Sequence, residues 1–199
     1  MSQSDLFGAP APPLPPGMRY ETDFLSAEEE QRWISFAQSL PLKEMNYKGY
    51  TAKRRVVSFG GKYDYVRNRL DEGPPIPPEL DPLREKVATW LGVTPDVFTQ
   101  VLVAEYSEGT PLGWHRDVPD FEDVVGVSLL SDAVMRFRPY PPHTSTHSPK
   151  KADILKFTVQ PRSIYLLRGA ARWEWQHSVA PTPTLRYSIT FRTPSERRR

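Results

Sequence analysis

The order of hydrophobic patterns along this chain predicts an α+β, mainly β fold, with two helices packed on one face of an antiparallel sandwich or barrel. Three observations carry that expectation. Apolar residues recur at helical spacing in two segments before residue 97. From residue 97 onward the period shortens to that of strands. At 199 residues the chain suits one domain with a real core.

Residues 1–17 hold five prolines and little that could be buried, and read as a disordered arm. Ser26 is placed to cap a helix, with Glu28, Glu29 and Glu30 favourably set in its first turn. Trp33, Phe36, Ala37 and Leu40 supply one apolar face, and Pro41 stops the helix. After the proline-rich stretch 74–82, Leu83, Val87, Trp90 and Leu91 form a second buried stripe that Gly92 ends. The runs 97–106, 124–130, 133–138, 153–159, 163–168 and 185–192 read as strands, rich in β-branched and aromatic residues between Gly, Pro or polar turns. Segment 139–151 reads as a loop. No internal repeat is evident.

There is no cysteine, which excludes disulfides, zinc–thiolate sites and thiol nucleophiles. No apolar run approaches the roughly 20 residues of a membrane helix. The N-terminus lacks signal-peptide features, so a soluble cytoplasmic protein is expected. The 26 basic and 24 acidic residues nearly cancel at +2, but their distribution is uneven. Between Lys48 and Arg69 lie seven basic residues (Lys48, Lys53, Arg54, Arg55, Lys62, Arg67, Arg69) and one acid, Asp64. Tyr47, Tyr50, Phe59, Tyr63 and Tyr65 are interleaved with them. Positive charge attracts phosphate and flat rings stack on unpaired bases. A solvated basic loop has the same composition.

His115-Arg116-Asp117 follows the strand 97–106 after a turn with Gly109, Pro111 and Gly113. In extended backbone, residues i and i+2 share a face, so imidazole and carboxylate can be offered together. Of the other histidines, His143 and His147 lie in the Pro/Ser/Thr loop, while His177 sits between two strands, flanked by Trp173 and Trp175. Two histidines and a carboxylate leave half an octahedron open, the arrangement of non-haem Fe(II) oxygenases. A catalytic zinc site draws on the same residue types.

The last strand sharpens the choice. Arg186, Ser188, Thr190 and Arg192 share one face, and Tyr187, Ile189 and Phe191 the other. Two arginines facing the inside of a sandwich are costly without anions. A dicarboxylate cosubstrate resolves that conflict, because an arginine fork binds a carboxylate bidentately.

His-x-Asp, a distal His and Arg-x-x-x-x-x-Arg together resemble the AlkB family of nucleic-acid dioxygenases, over roughly residues 50–192. The resemblance implies a double-stranded β-helix (jelly-roll) core and Fe(II) held by His115, Asp117 and His177. It implies 2-oxoglutarate as cosubstrate with O₂, its distal carboxylate on Arg186. Arg192 would lie near the metal-proximal carboxylate or support Asp117. Tyr106 matches the tyrosine of the family's Asn-x-Tyr pattern, with Ala104 in place of the Asn, and Ser188 is a further contact. The domain would run 18–194 after the arm 1–17, with a substrate lid at about 45–72 and a basic tail at 195–199.

In the lid, Arg54, Arg55, Tyr63 and Tyr65 would grip the nucleotide, and the expected partner is alkylated DNA or RNA, met by a monomer away from any membrane. No catalytic residue beyond the metal ligands is implied. Repair members of the family carry a second acid two residues after the ligand Asp. Pro119 stands there, and Asp120, one residue later, would touch the base in its place through a different turn, or base recognition differs. Trp114, Trp173 and Trp175 are candidates to wall the pocket. The implied reaction is oxidative demethylation of an alkylated base; hydroxylation of a protein side chain or a modified tRNA base is the alternative, and an inactive nucleic-acid-binding module a third.

Overall fold

The computed structural model describes residues 14–47, 50–64, 69–140 and 154–196. In chain order these form β1 (Met18–Glu21), α1 (Ala27–Ser39), β2 (Lys43–Tyr47), β3 (Tyr50–Asp64), β4 (Arg69–Glu72), α2 (Asp81–Leu91), β5 (Gln100–Tyr106), β6 (Leu112–His115), β7 (Phe121–Leu129), β8 (Ala133–Pro139), β9 (Leu155–Val159), β10 (Ile164–Leu167), α3 (Ala170–Trp173), β11 (Trp175–Val179) and β12 (Arg186–Pro194). A large antiparallel sheet runs β1-β10-β7-β12-β5-β3-β2, with β4 paired to β3, and a small one runs β6-β11-β8-β9. Two sheets facing each other in this order make the mainly β jelly roll that the resemblance implies, one form of the sandwich the pattern predicts.

Each face of the large sheet has its own core. Val101, Val103, Val125, Val127, Leu129, Ile164, Leu166, Tyr187, Ile189 and Phe191 cluster with Trp33, Ile34 and Ala37 of α1 and Leu83, Val87, Ala88 and Leu91 of α2. On the opposite face Val124, Tyr165 and Leu167 pack with Met135, Phe137, Phe157, Val159 and Val179 of the small sheet. Period-2 alternation sorts the two sets.

The helices begin and end for local reasons. Ser26 accepts the Glu29 backbone N–H at 3.1 Å while the Glu29 carboxylate accepts from the Ser26 N–H at 2.7 Å, a complete capping box. Gly92, at φ 77°, closes α2 in the left-handed conformation. Ile34 and Ala88 are fully packed where the periodicity pointed to Phe36 and Trp90, which are only partly buried. Glu30 is buried, and its Oε1 accepts the Leu130 N–H at 2.9 Å, fastening α1 to the β7–β8 turn.

Three expectations change. The basic, aromatic segment, expected as a substrate lid with a solvated loop as the alternative, is strand where it is described: β3 pairs with β5 from Arg55↔Glu105 to Gly60↔Gln100 and folds back onto β2 and β4. Arg55 is tolerated there because it pairs with Glu105, and Arg54 because it donates to the Tyr106 hydroxyl, both on the neighbouring strand. Residues 14–17, placed in the arm, are part of the folded unit: the Ala171 N–H donates to the Pro16 carbonyl at 2.7 Å and the Arg168 N–H to Gly17 at 3.2 Å. The strands β1, β6 and β11 were not anticipated. Residues 1–13, most of the 139–151 loop with His143 and His147, and 197–199 lie outside the described residues. Among the described residues no helix is long and apolar enough to cross a membrane.

Candidate metal centre and cosubstrate pocket

The small sheet brings the two histidines together. His177 on β11 lies directly opposite His115 on β6, and their rings are 4.2 Å apart, centre to centre. Between Val179↔Leu112 and His177↔His115 the partner strand takes one residue more, a β-bulge. It turns both Leu112 and His115 inward. Asp117 follows two residues on, and the ligand atoms of His115, Asp117 and His177 all lie within 4.8 Å of one another.

Each group is in the protonation state a metal needs. The His115 Nδ1–H donates to the Gly113 carbonyl at 2.9 Å, which leaves Nε2 with its lone pair. Burial holds His177 neutral by lowering its pKa to about 3, and burial lowers His115 as well. Burial alone would raise the Asp117 carboxyl, but the Arg192 guanidinium beside it holds it well below the usual carboxylate range. Arg192 occupies one carboxylate oxygen, Oδ1, through Nε at 2.8 Å and a terminal nitrogen at 2.6 Å. The other, Oδ2, is buried, makes no hydrogen bond among the described residues, and lies 3.6 Å from His177 Nε2. A buried carboxylate oxygen left bare beside two neutral imidazoles fits a divalent cation.

The cavity beside this centre lies between the sheets and is lined by the inward residues of β5, β12, β7 and β10. Arg186 is 1% exposed. Its Nε donates to Ser128 Oγ at 3.1 Å, its guanidinium sits 5.0 Å from the Tyr106 ring, and no carboxylate pairs with it among the described residues. An enclosed guanidinium without a counter-ion is costly. An acidic ligand reaching from the metal to Arg186 removes that cost, so the residues fit 2-oxoglutarate. Arg54 enters from β3 and donates to the Tyr106 hydroxyl at 3.2 Å. Burial alone would raise the Tyr106 phenol, but the Arg54 and Arg186 guanidiniums bring it below its ordinary value. Ser188 lines the same wall.

Other expected residues lie elsewhere. Arg55, one step along β3 from Arg54, points to the helix side and forks onto Glu105 at 2.7 Å through both nitrogens. Trp114 is turned to the outer face of the small sheet, under Arg136 and Arg138. Trp173 and Trp175 do not line the cavity either; the Trp173 indole donates to Glu122 at 2.8 Å. Asp120 also lies off the lining, and its carbonyl accepts from Ser195 at 2.8 Å. Tyr63 pairs with Leu70 in the β3–β4 hairpin, and Tyr65 lies outside the described residues.

Sequence reasoning missed several supports. Arg172, 2% exposed, donates to the carbonyls of Val118 at 2.7 Å and Phe121 at 2.8 Å, clamping the loop that carries Asp117. Gln100 accepts from Arg192 at 2.8 Å and donates to Ser58 and Gly61, joining the centre to β3. Tyr165 lies against Gly126 so closely that a Cβ there would come 2.2 Å from its ring. Burial pushes the Tyr165 phenol up to about 12. For Gln100, its place on the arginine-paired face of a strand was the one available signal; Arg172 had none.

The sequence profile of the 2OG-Fe(II) oxygenase superfamily matches residues 17–192. A tRNA (carboxymethyluridine(34)-5-O)-methyltransferase ALKBH8 from Macaca fascicularis is 27% identical over 172 residues, 83% of this chain and 24% of the relative. An alkylated DNA repair protein ALKBH8 homolog from Arabidopsis thaliana is 30% identical over 184 residues, 82% of this chain and 51% of the relative. The chain thus spans about a quarter to a half of the length of these relatives. The solved structure of OsALKBH1 superposes with a TM-score of 0.70 at 16% identity, over 90% of this chain and 98% of that one, a likeness of fold.

Proposed function

The chain belongs to the 2OG-Fe(II) oxygenase superfamily and is AlkB-like, and from that premise we propose that it oxidises an alkylated base in DNA or RNA, releasing the alkyl group. Members of the superfamily use Fe(II), 2-oxoglutarate and O₂. That group supplies the oxidation: 2-oxoglutarate becomes succinate and CO₂, and one oxygen atom enters a substrate C–H bond. When the carbon is a methyl on a base nitrogen, the hydroxylated product breaks down to formaldehyde and the free base.

The chain's residues hold and orient. His115 Nε2, Asp117 Oδ2 and His177 are the donors for iron. Arg192 fixes Asp117 by its other oxygen, so that the free one faces the histidines. Arg186, steadied by Ser128 and Tyr106, takes the distal carboxylate of 2-oxoglutarate, and Ser188 adds a hydroxyl to the same wall. Arg54 stands over Tyr106, where cosubstrate and base would meet. None of these groups transfers a proton.

One observation carries the reading: a bare, buried carboxylate oxygen between two neutral histidines shares a cavity with a buried arginine that has no carboxylate partner among the described residues. Iron-loaded protein given 2-oxoglutarate and methylated single strands should yield succinate and formaldehyde in equal amounts. Absence of both defeats the proposal. A second reading, hydroxylation of a modified tRNA base without loss of carbon, is favoured by Pro119 and by Asp120 lying off the cavity lining. Succinate formation with hydroxylated nucleoside and no formaldehyde selects it.

A further inference from the structure

The outer face of the small sheet has no part in the chemistry above, yet its composition is unusual. The strands LGWH, AVMRFRP, LKFTV and WQHSV contain Arg136, Arg138 and Lys156 and not one carboxylate. Met135, Phe137, Phe157, His177 and Val179 fill the inner face, so alternation turns the cations outward. Register places Arg136 between Ser178 and Lys156, with Arg138 beside Gln176.

The two arginines are held in a particular way. Arg136 donates through Nε to Ser178 Oγ at 3.0 Å, and Arg138 through Nε to Gln176 Oε1 at 2.8 Å. Their guanidiniums lie 5.3 and 4.5 Å from the centre of the Trp114 ring. Among the described residues no carboxylate pairs with either, and their terminal nitrogens make no hydrogen bond. Arg116, the residue between the two metal-ligand candidates of the His-x-Asp run, stacks 3.7 Å from the Tyr140 ring, which is 38% exposed.

Tethering through Nε leaves the terminal edge of each guanidinium outward, the edge that forks onto a phosphate. Aromatic support fixes the groups in advance, which lowers the ordering cost of binding. Four strands span about 14 Å, enough for roughly four phosphates of a stacked strand. We propose that this outer face binds the phosphate backbone of a nucleic-acid single strand flanking the base under attack, with Tyr140 open to base stacking. The inference deepens the proposed nucleic-acid substrate and rests on it. The forks suit carboxylate and phosphate alike; the exposed Tyr140 ring beside them, a surface for base stacking, favours a nucleic-acid strand over an acidic peptide.

The test is binding of the full chain to a short, unmodified, fluorescent single strand at several salt concentrations. The variant R136Q/R138Q/K156Q should bind about tenfold more weakly at 0.1 M salt, and its slope of log K against log salt should shrink by about 2. Unchanged binding of 2-oxoglutarate by the iron-loaded variant reports an intact fold. W114L, which keeps every charge, should weaken binding roughly threefold and leave the slope alone. Wild-type affinity and slope in the triple variant overturn the proposal, as does displacement of the strand by polyglutamate as readily as by competitor nucleic acid. If the face binds but no modified base is oxidised, the proposed substrate fails and the surface stands. If bases are oxidised while the variant binds normally, the surface alone fails.

Discussion

The two faces of β12 are built to opposite specifications. Tyr187, Ile189 and Phe191 sink among the helices in a hydrocarbon core, while Arg186, Ser188, Thr190 and Arg192 face the cavity with charges and hydroxyls. One strand therefore carries both the stability of the fold and the groups poised for its chemistry. The helix face gains from burial of apolar surface. The cavity face costs stability until a ligand pairs with Arg186, since Arg192 already has Asp117. Substitutions on the two faces should separate stability from activity.

The largest effect is expected on the cavity side. Asp117→Ala removes the bare oxygen and should abolish succinate formation while the fold, followed by circular dichroism, persists with lower stability, because Arg192 loses its partner. On the other side Phe191→Ala should lower stability by about 3–5 kcal/mol in denaturant unfolding and leave iron affinity unchanged. Stability loss from Asp117→Ala with full activity would erase the contrast.

Arg192→Met should weaken iron binding by roughly 10–100-fold, because Arg192 orients the carboxylate without touching the metal. Arg186→Met should raise the KM for 2-oxoglutarate by about tenfold or more, the worth of one charge-assisted contact. It should also leave the melting temperature of the ligand-free chain unchanged or higher, since an unpaired buried cation disappears.

Titration gives a smaller signal. His177 in the folded chain has a pKa of about 3, below its ordinary 6.5, so between these values the unfolded chain holds more protons. Metal-free protein therefore loses stability as pH falls through that window, by up to about 1.4 kcal/mol per pH unit from this group. His177→Gln should flatten the dependence in urea unfolding measured across those pH values. An unchanged slope would mean that His177 is not held neutral by burial.

The comparison also explains what was legible in the sequence. Alternation along residues 186–192 showed both faces of β12 directly, and the His-x-Asp spacing placed two candidate ligands on one face. Trp114 was offered for the pocket because it adjoins His115 in sequence, but alternation from an inward His115 turns it to the outer face. The sheet pairing of β3 was not legible because its charges look solvated until Glu105, fifty residues away, supplies the partner of Arg55. Arg172 was invisible for the same reason: its worth lies in two backbone carbonyls of a distant loop. Local pattern identifies faces; cross-strand partners decide which polar residues belong in them.

The central claim, that one cavity joins a three-residue metal centre to Arg186 through a dicarboxylate, is most directly tested by a crystal structure with Mn(II) and 2-oxoglutarate. The metal should lie on His115, Asp117 and His177, with 2-oxoglutarate running from it to the Arg186 guanidinium. Metal bound elsewhere, or a distal carboxylate resting on Arg54 with Arg186 still unpaired, would contradict it.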